Sequence, residues 1–90
     1  MDGRPFVATL FTMPGKGGWT FVRVPGAHAP EVAGPWGRTP VLATVDGRTL
    51  ATSVWRSKDG EWWLSLSKKA RAGKVAGDRV EVALQPDLSR

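Results

Sequence analysis

Two Asp-Gly dipeptides, Asp46-Gly47 and Asp59-Gly60, constrain the fold more than any other feature, because each is flanked by runs of apolar and β-branched residues. Asp-Gly supplies the two positive-φ residues of a type I′ turn, whose twist matches that of the strands it joins. Residues 41–45, 48–56 and 62–66 therefore read as three consecutive antiparallel strands. Residues 6–13 and 19–24 add two strands, joined by a hairpin connection containing Pro14-Gly15 and Gly17-Gly18. A last strand covers 79–85, with Val80, Val82 and Leu84 on one face. Between 25 and 37, prolines and glycines leave room for one helical turn over 30–33 with Pro30 at its start. Ser67 can cap a short helix over 68–72, which Gly73 can end in a left-handed conformation. Six short strands with so little helix cannot bury both faces of a flat sheet, so the expected architecture is all-β. It is a small closed six-stranded β-barrel with one short helix before the last strand.

Ninety residues can close one hydrophobic core, so residues 1–90 are expected to form a single domain. The chain has no cysteine, which excludes disulfides, thiolate metal sites and cysteine nucleophiles. His28 is the only histidine and has no second His or Cys to share a metal, so neither a metal site nor a cofactor is expected. The N-terminus lacks the pattern of a secretory signal, and no stretch approaches the ~20 apolar residues that span a bilayer. A cytoplasmic location without membrane contact is the resulting expectation.

The catalytic reading is poor. General acid–base chemistry needs a proton-transferring group held near a reacting atom. Asp46 and Asp59 are explained by turns, Asp78 by the strand entry at Gly77-Asp78, and Glu61 and Glu81 by outward strand positions. No spacing ties His28 to Ser53, Ser57, Ser65, Ser67 or Ser89 as a triad would require. The glycine-rich segment 14–18 resembles a phosphate loop in composition alone, since it joins two strands. A six-stranded barrel is filled by its own side chains, because about eight strands are needed to enclose a small ligand. A small hydrolase or other enzyme is thus the remotest of the alternatives.

The adjacent tryptophans decide the surface. Successive strand side chains alternate, so Trp62 and Trp63 must face opposite sides, and one of them lies outside the barrel. If Asp59-Gly60 is a two-residue turn, Trp55 faces Leu64. If Lys58-Asp59-Gly60 is a three-residue loop with Gly60 left-handed, Trp55 faces Trp63 and Val54 faces Leu64. The second register is preferred, since it aligns Val41, Ala43, Val45, Leu50, Val54, Leu64 and Leu66 on one face. Trp63 and Trp55 then form an outward aromatic platform bordered by Ala51, Ser53 and Ser65. Rings of this size need cover. The cover is either the protein itself, through Trp36 on its Gly34-Pro35-Trp36-Gly37 loop or the 68–72 helix, or a partner. On the second reading Trp36, Trp55 and Trp63, with Arg38 and Arg56 as cationic neighbours, form a non-catalytic contact surface for a homodimer or a small-molecule ligand.

The net charge of +5 permits an anionic partner. Lys68, Lys69, Arg71 and Lys74 form a basic cluster without an acid, a candidate for anion contacts. Outward aromatics beside cations are the combination that single-strand binders use, which makes single-stranded nucleic acid the alternative partner. The stretch Lys16-Gly17-Gly18-Trp19-Thr20-Phe21-Val22 is similar to the Lys-Gly-aromatic strand of cold-shock domains, but its spacing is altered. No second aromatic motif accompanies it, so it reads as a hairpin connection followed by a core strand.

The order of several pieces resembles the bacterial family DUF1905, a domain of unknown function. They are Phe6-Val7-Ala8-Thr9-Leu10, Gly18-Trp19-Thr20-Phe21-Val22 with Val24-Pro25, and Thr39-Pro40-Val41 leading to Thr44-Val45-Asp46-Gly47. Leu64 followed by Lys68 and Arg71, and then Gly77-Asp78-Arg79-Val80-Glu81-Val82 with Pro86-Asp87, complete the pattern. The resemblance implies a closed barrel of the double-split type, similar to swapped-hairpin transcription regulators and antitoxins. It carries no catalytic or ligand residues over.

Overall fold

A computed structural model of the chain describes residues 1–13, 19–32 and 34–89. The expected connection over 14–18 lies outside the described residues, as do Ala33 and Arg90. Seven strands form one antiparallel sheet that curls into a nearly closed barrel: β1 (Phe6–Thr9), β2 (Phe11–Thr12), β3 (Thr20–Val24), β4 (Arg38–Val45), β5 (Arg48–Arg56), β6 (Trp62–Ser65) and β7 (Arg79–Pro86). Their spatial order is β1-β7-β4-β5-β6-β3-β2.

The strand count corrects the expectation of six. The stretch read as one strand over 6–13 changes neighbours at Leu10: β1 pairs with β7, and β2 pairs with β3. Leu10 itself donates its N–H to the Asp78 carbonyl and accepts from the Gly77 N–H, at 2.8 and 2.9 Å. One chain segment thus supplies both ends of the sheet, which is how the barrel closes on itself.

The hairpins follow from their turn residues. Asp46 and Gly47 have φ of 47° and 87°, the two left-handed positions of a type I′ turn, between Val45 and its partner Arg48. In the next hairpin Gly60 is left-handed at φ 83° and Ser57 N–H donates to Glu61 O at 2.8 Å. That is the three-residue loop, and it sets Val54 opposite Leu64 and Trp55 opposite Trp63. The interior is aliphatic as the pattern required: Val22, Val41, Ala43, Val54, Leu64 and Val82 are fully buried. Leu50 and Trp62 pack against this core while partly exposed.

The predicted helix over 68–72 is absent; the segment is a series of turns. Ser67 does cap it, its Oγ accepting the Ala70 N–H at 3.1 Å. Propagation then stops for two visible reasons. Ala72 and Gly73 are left-handed, at φ 53° and 83°. The Ala70 carbonyl, which a further turn would use, accepts instead from the Arg48 guanidinium at 3.4 Å, and the Lys69 carbonyl is shared between that guanidinium, at 3.0 Å, and the Ala72 N–H, at 3.2 Å. One helical turn costs more than it returns unless bonds continue beyond it. What the segment does provide is Ala70, buried at one end of the barrel, while Ala29 beside the 3₁₀ turn Gly26–His28 is buried at the other. A second 3₁₀ turn, Pro35–Gly37, leads into β4.

Candidate functional site

The outer face of β4, β5, β6 and β3 carries a row of directly paired residues: Arg38 opposite Trp55, Trp55 opposite Trp63, and Trp63 opposite Arg23. Two indoles thus lie between two guanidiniums. The Arg38 guanidinium lies 5.8 Å from the Trp55 ring centre, and its Nε donates to Ser53 Oγ at 3.0 Å. At the opposite end Arg23 lies 4.3 Å over Phe11 and is paired with Glu61 at 3.0 Å.

Trp63 is covered by the protein itself, through residues not expected to do so. Phe11 meets it edge-on with centroids 5.5 Å apart, and Phe21 lies at 5.7 Å. Phe21 also contacts Phe11 and Trp19, at 5.9 and 6.2 Å, which makes an aromatic cluster outside the barrel wall. Neither Trp36 nor the 68–72 segment provides this cover. The signal was available in the alternation of Trp19, Phe21 and Arg23 with Thr20, Val22 and Val24; residues 19–24 are a core strand on one face and an aromatic surface on the other. The Trp63 Nε1 is buried without a hydrogen-bond partner.

Trp55 and Trp19 remain open, at 36% and 55% exposure, and Trp36 is 95% exposed. Trp36 sits at φ 57°, a left-handed conformation that costs a non-glycine residue about 1 kcal/mol or more. Its loop is tightly built, since a Cβ on Gly34 would collide with the Arg38 carbonyl. Arg56, expected beside the platform, instead pairs with Trp62 and lies one residue out of phase with the Trp55–Trp63 row. Arg38 and the unforeseen Arg23 take the cationic positions.

The basic cluster divides. Lys74 is an ion-pair residue: its Nζ donates to Asp46 Oδ2 and to the Arg79 carbonyl, both at 2.8 Å. That ammonium, with the Glu81 N–H donated to Asp46 Oδ1, holds the Asp46 carboxyl below its usual range. Arg71 donates to the carbonyls of Leu66, Ser67 and Lys74, neutral acceptors that leave its charge uncompensated. Lys68 and Lys69 are exposed.

Three clefts meet along β5. A cleft of ≈ 280 Å³ lies between Trp19, Trp55 and Arg38, over a floor that includes Ser53 and Ser65. A second, of ≈ 380 Å³, shares Trp19 and Ser65 with it and runs past Leu50 and Ala51 to Arg71. A third, of ≈ 410 Å³, shares Leu50, Ala51 and Ser67 with the second and ends at Arg48 and Lys69. The ladder between β5 and β6 covers only Val54 to Arg56, and beyond it Ser65 reaches β5 through its carbonyl, which accepts the Thr52 hydroxyl at 3.0 Å.

A small, nearly closed antiparallel barrel with an outward aromatic row defines the class of this protein. The family model for DUF1905, a domain of unknown function, matches residues 6–84, and the chain belongs to that family. No curated protein matches the sequence. Among the described residues, no helix is long and apolar enough to cross a membrane.

Proposed function

We propose that this protein is a non-catalytic contact module of the cytoplasm, and that Trp36, Trp55 and Arg38 are its contact surface. The observation that carries this reading is Trp36, an almost fully exposed indole kept in a left-handed backbone conformation by a loop with no room for a Cβ at Gly34. Neither the strain nor the exposure stabilises the isolated fold, and tryptophan is enriched among residues that dominate binding energy. Trp63 drops out of the surface, because Phe11 and Phe21 cover it.

The leading partner is a second copy of the chain. The Trp36 loop adjoins the strand that carries Trp55, since Gly37 lies against the Arg56 carbonyl. Two copies about a two-fold axis can therefore each set Trp36 against the other's Trp55 in a self-complementary contact. Sedimentation velocity across a concentration series tests this. A dimer that Trp36→Ala converts to monomer supports the reading; a monomer at every concentration, with Trp36 equally quenched by acrylamide throughout, sinks it. A small planar ligand is the second reading, favoured by the Trp19–Trp55 cleft.

A non-catalytic role is supported by what the carboxylates do. Asp46 holds Lys74 and the Glu81 N–H, Glu61 holds Arg23, Asp78 accepts the Val75 N–H, and Asp87 accepts from Ser89. His28 lies against the Phe6 ring, with centroids 4.9 Å apart.

A further inference from the structure

We infer that the three joined clefts along β5 form a single track for single-stranded nucleic acid. The track shares Trp55 and Arg38 with the contact surface proposed above, so an oligonucleotide and a second copy of the chain compete for those two residues. Two features argue for it together. The first is aromatic: Trp19 and Trp55 wall the same cleft, and both indoles are open to solvent. An open indole is a stacking surface for any base, whatever its sequence.

The second is charge. Moving along the track one meets Arg38, then Arg71, then Arg48 and Lys69, and none of the three clefts is lined by an acid. The ion pairs of the described residues, Arg4–Asp2, Arg23–Glu61 and Lys74–Asp46, include none of these four cations, although Arg48 acts on the Asp46 carboxylate through space. Arg48 and Arg71 are also fixed in place, because they donate to backbone carbonyls of the 66–74 segment. A fixed guanidinium with an unneutralised charge loses little freedom when a phosphate arrives. Stacking at one end and a line of cations running from it match a single strand, whose open bases stack on indoles while its phosphate backbone follows the cations. A duplex hides its bases, and a small ligand would use one cleft only.

Four cations on phosphates predict a definite salt response. At about 0.7 counterions released per contact, affinity for a single strand falls about fiftyfold between 50 and 200 mM salt. The test is fluorescence anisotropy with a labelled twelve-nucleotide oligothymidylate, the same length of duplex, and a poly-aspartate peptide as competitors. Trp55→Ala and Trp19→Ala should each weaken oligonucleotide binding about tenfold, and Lys69→Glu should weaken it while flattening the salt dependence. Trp36→Ala, which in the reading above frees Trp55 from the second copy's indole, should preserve oligonucleotide binding or strengthen it. That separates failure of one reading from failure of the other. Circular dichroism establishes that each variant is folded. No binding at 50 mM salt overturns the inference, as does equal competition by duplex or by poly-aspartate, which would mark the track as a general polyanion surface.

Discussion

Trp63 and Trp36 behave in opposite ways, and the difference lies in what surrounds each ring. Trp63 is held by Phe11 and Phe21 and pairs with Trp55, so truncating it opens the outer cluster. Trp63→Ala should cost about 3 kcal/mol in urea unfolding, the lower end of the range for large aromatic truncations. Trp36 is nearly all exposed and left-handed. Trp36→Asn, which suits that conformation better, should raise stability by a few tenths to about 1 kcal/mol in the same assay. A loss on Trp36→Asn would mean that the indole supports the fold, and the contact-surface reading would lose its main support. Parity made the opposite orientation of Trp62 and Trp63 legible in the sequence. Phe21 was legible as outward from its alternation with Thr20, Val22 and Val24, but Phe11 was not, because a large aromatic on a strand reads as core until its pairing partners are known. Trp36 was legible as a loop residue, yet nothing in Gly34-Pro35-Trp36-Gly37 says that the ring stands away from the barrel.

At the level of elements, hairpin geometry was readable because turn residues fix register locally. Asp46-Gly47 set Val45 opposite Arg48, and the three-residue loop at Gly60 set Val54 opposite Leu64. The split of the first strand was not readable, because inward and outward side chains alternate without interruption from Phe6 through Leu10 to Phe11. Only the exchange of hydrogen-bonding neighbours marks the break. The 67–74 segment shows a different failure. Its cap residue was correct, but the carbonyls were claimed by Arg48, a residue distant in sequence. Ser67→Ala should therefore cost about 1 kcal/mol by loss of the cap alone, measured by denaturant unfolding. The contact between Lys74 and Asp46 ties this segment to the β4–β5 turn. Since the Asp46 carboxyl is held below its ordinary pKa, its stabilising contribution is complete above the unfolded value, near 4, and is lost as pH falls through the lower folded value. Unfolding midpoints of the protein and of Asp46→Asn should differ at neutral pH and converge toward the acid end. An unchanging gap down to pH 2 would show that the carboxylate's ionisation does not contribute.

For the whole molecule the governing feature is that the two ends of the sheet belong to one segment. β1 and β2 are adjacent in the chain, yet they hydrogen-bond to β7 and β3, at opposite ends of the spatial order. Unpaired strand edges template association with other chains. Deleting residues 1–12 would uncover the flanks of β7 and β3 together, and light scattering should report aggregation of the shortened chain at concentrations where the full chain remains clear. A shortened chain that stays dispersed would show that other residues protect those flanks.

The same geometry carries a consequence for synthesis. The strand that β1 pairs with, β7, emerges only after the five strands between them have been synthesised. The aliphatic faces of the intervening hairpins must therefore wait, half assembled, for the opening residues to be clasped from behind by the closing ones.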